Sequence, residues 1–160
     1  MRTFESVSLL LINELGFVFH RYDAASLLGK GHEESARKLK DYIESMISIE
    51  NEELFYDVDT IEKGEEILPH FHVINGSFQV VIWLPDDEFL GRDFLYGESK
   101  ALENYHPEKG MMCFMKPNDP CFFHGVTRLE SEMAVETIGF SSLKSKDDIP
   151  LQKDIFLESN

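Results

Sequence analysis

Apolar residues recur along this chain in two rhythms, and the change between them divides it. From Glu33 to Ile49 the apolar positions Ala36, Leu39, Ile43, Met46 and Ile47 fall at helical spacing. Glu33 and Glu34 stand in the first turn, where the helix dipole favours negative charge. The pattern predicts a helix over 33–49 that packs as a support outside a sheet. A helix is also predicted over 4–15, where Leu9, Leu10, Leu11, Ile12 and Leu15 cluster and Gly16 supplies a stop. Residues 17–22 alternate and predict a first strand. Gly29-Lys30-Gly31 is a loop that lacks the spacing of a phosphate-binding loop.

From Leu54 onward the rhythm shortens to that of strands and turns. Strands are predicted over 54–61, 66–74, 77–84, 92–96, 111–116, 121–126 and 133–141. Breakers fall between them at Asn75-Gly76, Pro85-Asp86-Asp87, Gly97, Gly110, Pro117-Asn118-Asp119-Pro120 and, inside the last strand, Gly139. Asn75-Gly76 between two apolar runs is a hairpin signal. So many short, closely spaced strands predict a sandwich, jelly roll or barrel. The expected organisation is one domain over 1–160: helical support over about 1–50, a β-barrel core over about 54–141, and a polar C-terminal tail over 142–160 that covers the surface.

One strand carries candidate chemistry. In His70-Phe71-His72 the two imidazoles are two residues apart, so on a strand they project to one face. Converging imidazoles are what a divalent metal ion takes. The third ligand expected is His124, within the apolar strand after Pro120. Three neutral imidazoles at about 2.0–2.1 Å hold an ion on one side and leave other positions open, which marks catalysis more than structure. The bland alternative is a set of half-buried strand histidines bonded to their neighbours. His20, His32 and His106 have no partner at ligand spacing and are expected at the surface.

Composition narrows the classes. The 160 residues suffice for one real core, with 42% hydrophobic and 12% aromatic content. The formal net charge of −15 argues against nucleic acid or an anionic membrane as partner. Two cysteines, Cys113 and Cys121, in a chain without a signal-peptide pattern predict a cytoplasmic, reduced protein. Buried thiols are the default for both. No run reaches the roughly 18 apolar residues of a membrane helix.

The region from about Glu66 to Ser141 resembles the double-stranded β-helix of the cupins and the 2-oxoglutarate/iron oxygenases. Gly64 ahead of His70-Phe71-His72 resembles the opening of the first cupin motif. The run from Val80 to Leu95, with its acidic turn Asp86-Asp87-Glu88, resembles the segment that follows the His-x-Asp pair of the oxygenases. His124 falls where their distal histidine would. The resemblance implies a mainly β protein with N-terminal helices and a jelly-roll, cupin-like barrel. It also implies iron(II) at His70, His72 and His124.

Two departures from that pattern direct the functional expectation. The oxygenases carry a carboxylate where this chain has His72, and the cupin glutamate after His-x-His is missing. Beyond the distal histidine, where a basic residue would clamp 2-oxoglutarate, the chain reads Met133-Ala134-Val135-Glu136. Three-histidine iron sites in cupin-like thiol and diketone dioxygenases are similar. The leading expectation is an iron(II) dioxygenase in which a small-molecule substrate and O2 share the metal, with no catalytic group beyond the ligands. A 2-oxoglutarate enzyme with a variant clamp from Arg92, Lys116 or Arg128 is the second. A metal-dependent cupin isomerase or lyase, another divalent metal, and a ligand-binding module remain open. Further contact candidates are Trp83, Asp93, Tyr96 and Glu136, the last expected to meet a cationic group. Trp83, Phe94, Tyr96 and Phe122 are read as barrel-mouth or core aromatics. Neither nucleic acid nor membrane is expected as a partner, and a homodimer stays open.

Overall fold

The computed structural model describes residues 1–84 and 92–158. The acidic turn at Pro85-Asp86-Asp87, and the stretch after it through Gly91, lies outside the described residues.

Two five-stranded antiparallel sheets face each other. The first has the order β1-β7-β4-β9-β2, with β1 Phe17–Arg21, β7 Met111–Met115, β4 Gln79–Trp83, β9 Val135–Leu143 and β2 Glu53–Ile61. The second has the order β10-β3-β8-β5-β6, with β10 Lys153–Phe156, β3 Ile67–Val73, β8 Phe122–Val126, β5 Phe94–Glu98 and β6 Glu103–Tyr105. Three helices precede β2: α1 Leu9–Leu15, α2 Ala24–Leu27 and α3 His32–Met46. This is the mainly β, jelly-roll architecture with N-terminal helices that the pattern predicts.

Both faces of the first sheet are covered. Val18, Val80, Ile82, Met112, Phe114, Ile138 and Phe140 point outward into a dry core with Ile12 of α1 and Ala36, Leu39 and Ile43 of α3. The alternate residues Phe19, Trp83, Met111, Cys113 and Met115 point inward and meet Phe94 and Tyr105 of the second sheet. Burial of a large apolar side chain on either face contributes about 1.5–3 kcal/mol.

The helices end where their caps dictate. The Ser8 side chain accepts from Leu11 N–H at the start of α1. Gly16 closes it at φ 81°, a left-handed conformation that disfavours any side chain. A Cβ there would also stand 2.6 Å from the Phe122 ring, so Gly16 lets the barrel close on the helix end.

Four expectations are corrected. Asn75-Gly76 does not close a hairpin, because β3 and β4 belong to different sheets. Gly76 serves a close approach instead: a Cβ would lie 1.5 Å from the Ser142 carbonyl oxygen. His20 is buried (3% exposed), with its ring nitrogens on the Phe4 carbonyl at 2.7 Å and the Tyr42 hydroxyl at 2.5 Å. Cys121 is exposed while Cys113 is buried, and both thiols are free. The polar segment after Ser141 continues β9 to Leu143, then forms a 3-10 helix, Lys146–Leu151, and the strand β10. None of the helices in the described residues is long and apolar enough to cross a membrane.

Candidate metal centre

β3 and β8 bring the three predicted histidines together. His70 and His124 are directly opposed in the antiparallel pair, so their side chains share a face, and His72 follows two residues along it. The ring centroids lie 4.4 Å apart for His70–His124, 4.7 Å for His72–His124 and 4.8 Å for His70–His72. One nitrogen from each ring falls in a group whose members all lie within 4.8 Å of one another.

The backbone allows this closeness. A Cβ at Gly125 would meet the Ile67 carbonyl oxygen at 2.5 Å and the Pro69 nitrogen at 3.1 Å. The residue beside His124 must therefore be glycine for β3 to sit so near. Pro69 cannot donate to the ladder, and the β3–β8 register shifts between Ile67 and His70 around it.

Hydrogen bonds select the tautomers. His70 Nδ1–H donates to the Leu68 carbonyl at 2.8 Å. His72 Nδ1–H donates to Gln79 Oε1 at 2.5 Å. Gln79 is itself oriented, its Nε2 donating to Ser141 Oγ at 2.9 Å and to Gln152 Oε1 at 3.5 Å. The two Nε2 atoms, the ring nitrogens left over from these bonds, face each other at 3.0 Å. A metal ion bound by both neutral rings satisfies that approach. Ligand atoms about 2.0–2.1 Å from one ion stand about 3.0 Å apart at right angles and about 3.4 Å apart at the tetrahedral angle. The 3.0 Å spacing fits that range.

The electrostatics agree with this reading. Burial, reinforced by His72 and His70, pushes His124 well below the ordinary imidazole value of 6.5. Burial lowers His72 as well, against the opposing effect of the hydrogen bond it donates to Gln79. Both shifts favour the neutral ring, the form in which imidazole binds a metal.

The histidines open on a cavity of about 390 Å³ between the sheets. Among the other candidates, Trp83 and Arg92 line it, at 1% and 2% exposure. Trp83 also belongs to the inner aromatic core. Tyr96 packs against Phe17, Phe19 and Phe94. Lys116 pairs with Asp119 at 3.0 Å, and Arg128 with Glu66 at 3.7 Å. The Asp93 carboxylate accepts from Asn104 Nδ2 at 3.1 Å and stands 3.2 Å from His106 Nδ1. Glu136 pairs with His32 at 3.5 Å, and both are part-exposed. On β9 the cavity is lined by Thr137, Gly139, Phe140 and Ser141, and Glu136 is not among its lining residues.

Sequence reading missed Gln79, Asp57, Asp59 and Asp154, which also line the cavity. A signal existed for β2, where Phe55, Asp57, Asp59 and Ile61 alternate and all reach the cavity. Asp154 had none, because it lies in a four-residue strand without an apolar pattern.

No protein-family model matches the chain, and no curated protein sequence matches it. Solved structures do. An oxidoreductase of the 2OG-Fe(II) oxygenase family from Burkholderia pseudomallei is 14% identical, with a TM-score of 0.61 over 91% of this chain and 94% of that one. A Pseudomonas putida prolyl-4-hydroxylase is 9% identical, with a TM-score of 0.62 over 90% and 99%. HygX from Streptomyces hygroscopicus, solved with nickel and 2-oxoglutarate bound, is 11% identical, with a TM-score of 0.54 over 86% of each chain. The chain shares the double-stranded β-helix fold of these proteins.

Proposed function

We propose that the protein is a non-haem iron(II)-dependent dioxygenase that acts on a small-molecule substrate with O2 at His70, His72 and His124. One observation carries the reading: two imidazoles whose Nδ1 atoms are bonded to the Leu68 carbonyl and to Gln79 turn their Nε2 atoms toward each other at 3.0 Å beside a third histidine. Iron(II) held there would supply a binding place for O2 and a route for electrons drawn from the substrate. The chain's own contribution is to hold three imidazole donors on one face and to keep one side open to the cavity. Trp83 and Phe94 wall that cavity and limit water. Arg92 lines the same wall and is the candidate contact for an anionic substrate group. A reducing, cytoplasmic setting suits both the iron(II) state and the free thiols.

The test is anaerobic calorimetry with iron(II). One equivalent should bind to the parent and none to the variant in which all three histidines are alanine. A parent that binds none ends the proposal. Oxygen uptake by the loaded protein with a panel of small carboxylates then separates an oxygenase from a metal-dependent isomerase or lyase.

A second reading rests on Arg92, the buried base on the cavity wall. In this reading Arg92 would clamp the far carboxylate of 2-oxoglutarate, the molecule bound in HygX, a role supported by its position in the cavity lining. In that case 2-oxoglutarate binds the anaerobic, iron-loaded protein tighter than about 0.1 mM, or roughly 5.5 kcal/mol. Arg92→Leu should abolish that binding.

A further inference from the structure

The carboxylate missing from position 72 has a counterpart across the ladder. In the β10–β3 pair Asp154 is the register partner of His72, so both side chains leave the sheet on the same face. Asp154 Oδ1 stands 3.3 Å from His72 Nε2, the nitrogen that faces His70. That spacing again falls within the range of about 3.0 to 3.4 Å for two donors on one ion. Since His72 Nδ1–H is given to Gln79, a neutral His72 has no proton on Nε2 for the carboxylate to accept. Three acceptors, His70 Nε2, His72 Nε2 and Asp154 Oδ1, thus meet around the same region.

We propose that Asp154 is a fourth protein ligand of this metal centre, which makes β10 part of the site. The proposal rests on the metal reading of the three histidines. Asp154 stands outside the group of donors lying within 4.8 Å of one another, so joining it takes a side-chain rotation. Its side chain is 54% exposed and free to make that turn.

Two independent features support the assignment. The first is how β10 is held. All four of its residues are exposed, so apolar burial does little to position it. Its neighbours instead attach to the histidines. Gln152 accepts from Gln79 and from Ser141, the pair that orients His72. The Phe156 ring lies 5.3 Å from the His70 ring. Leu157 N–H donates to the Pro69 carbonyl at 2.9 Å. Asp154 sits midway in a strand fastened to the site on both sides.

The second is charge. Three neutral imidazoles leave a divalent ion at +2; one carboxylate brings the centre to +1, the charge of a two-histidine-one-carboxylate site. Four protein ligands leave two positions on a six-coordinate ion rather than three. Substrate and O2 would then each take one, or a chelating substrate both.

The experiment uses Co(II), which absorbs strongly in the near ultraviolet when a thiolate binds it and not with nitrogen or oxygen donors alone. Parent protein, which keeps Cys113 and Cys121, is titrated beside Asp154→Cys, Asp154→Asn and Asp154→Glu. A charge-transfer band that saturates at one equivalent in Asp154→Cys, and is absent from the parent, places the side chain at 154 on the metal. Stoichiometric binding without that band overturns the proposal. Asp154→Asn should bind Co(II) about 10- to 100-fold more weakly than the parent, with Asp154→Glu close to parental. Equal affinity of Asp154→Asn and parent overturns it too. Should the parent itself bind no Co(II), the three-histidine reading fails and this inference goes with it.

Discussion

The two faces of the sheet β1-β7-β4-β9-β2 are built on opposite principles. The outer face is chiefly apolar: Val80, Ile82, Met112, Phe114 and Ile138 meet α1 and α3, and the buried imidazole there, His20, is satisfied by the Phe4 carbonyl and the Tyr42 hydroxyl. The inner face is graded. Along β4 it runs from Gln79 at His72, through Val81, to Trp83 in the aromatic plug with Phe19, Phe94 and Tyr105. Each strand therefore carries a stability-bearing side and a site-bearing side one residue out of phase. Substitutions on the outer face should move stability and leave metal affinity alone, and inner-face changes near the histidines should do the reverse.

The largest expected effect breaks the outer face. Phe114→Ala should cost about 3–5 kcal/mol in urea denaturation, with iron(II) affinity of the folded fraction unchanged. Next comes the inner face: alanine at His70, His72 or His124 should weaken iron(II) binding by more than about 100-fold, the upper end of what losing a ligand's outer partner costs. Melting of the metal-free variants should match the parent within a few degrees. Gln79→Leu sharpens the contrast, because it removes only the acceptor that fixes the His72 tautomer. It should lower affinity by about 10- to 100-fold without unfolding the outer core.

The smallest effect is one of pH. His72 and His124 are held below 6.5 in the fold, so the unfolded chain binds more protons as pH falls through that value. The stability contributed by these neutral rings is full above about pH 6.5 and is lost below it. Urea midpoints of the metal-free parent should drop between pH 7 and pH 5. The variant with all three histidines replaced should show a flatter profile.

Much of the frame was legible because local and tertiary signals agreed. Leu39 and Ile43 sit at helical spacing and are buried against the sheet, so α3 was visible within a few residues. His70-Phe71-His72 announced a shared face because strand parity is strict. Parity alone, however, cannot say which face holds the cavity when both are buried. Most residues on both faces of β9 are covered, and Glu136, part-exposed at its start, pairs with His32, a contact that parity alone does not announce. The Asn75-Gly76 turn misled for a related reason: turn chemistry is local, while the choice of sheet for each flanking strand is not. β10 left no mark, since its four exposed residues have no apolar pattern to read.

The His70–His124 register has a consequence for the order of assembly. Before β8 docks, the chain offers only the neighbouring His70 and His72, a pair too incomplete to retain a metal firmly. The third donor arrives only when a long loop has closed, and Asp154 comes later still in chain order. Apolar cores on both faces of the first sheet hold the barrel, so it does not need metal as a template in the way a small zinc finger does. The expected order is folding first and loading second, so the apoprotein should survive chelation intact, which melting with and without a chelator would check.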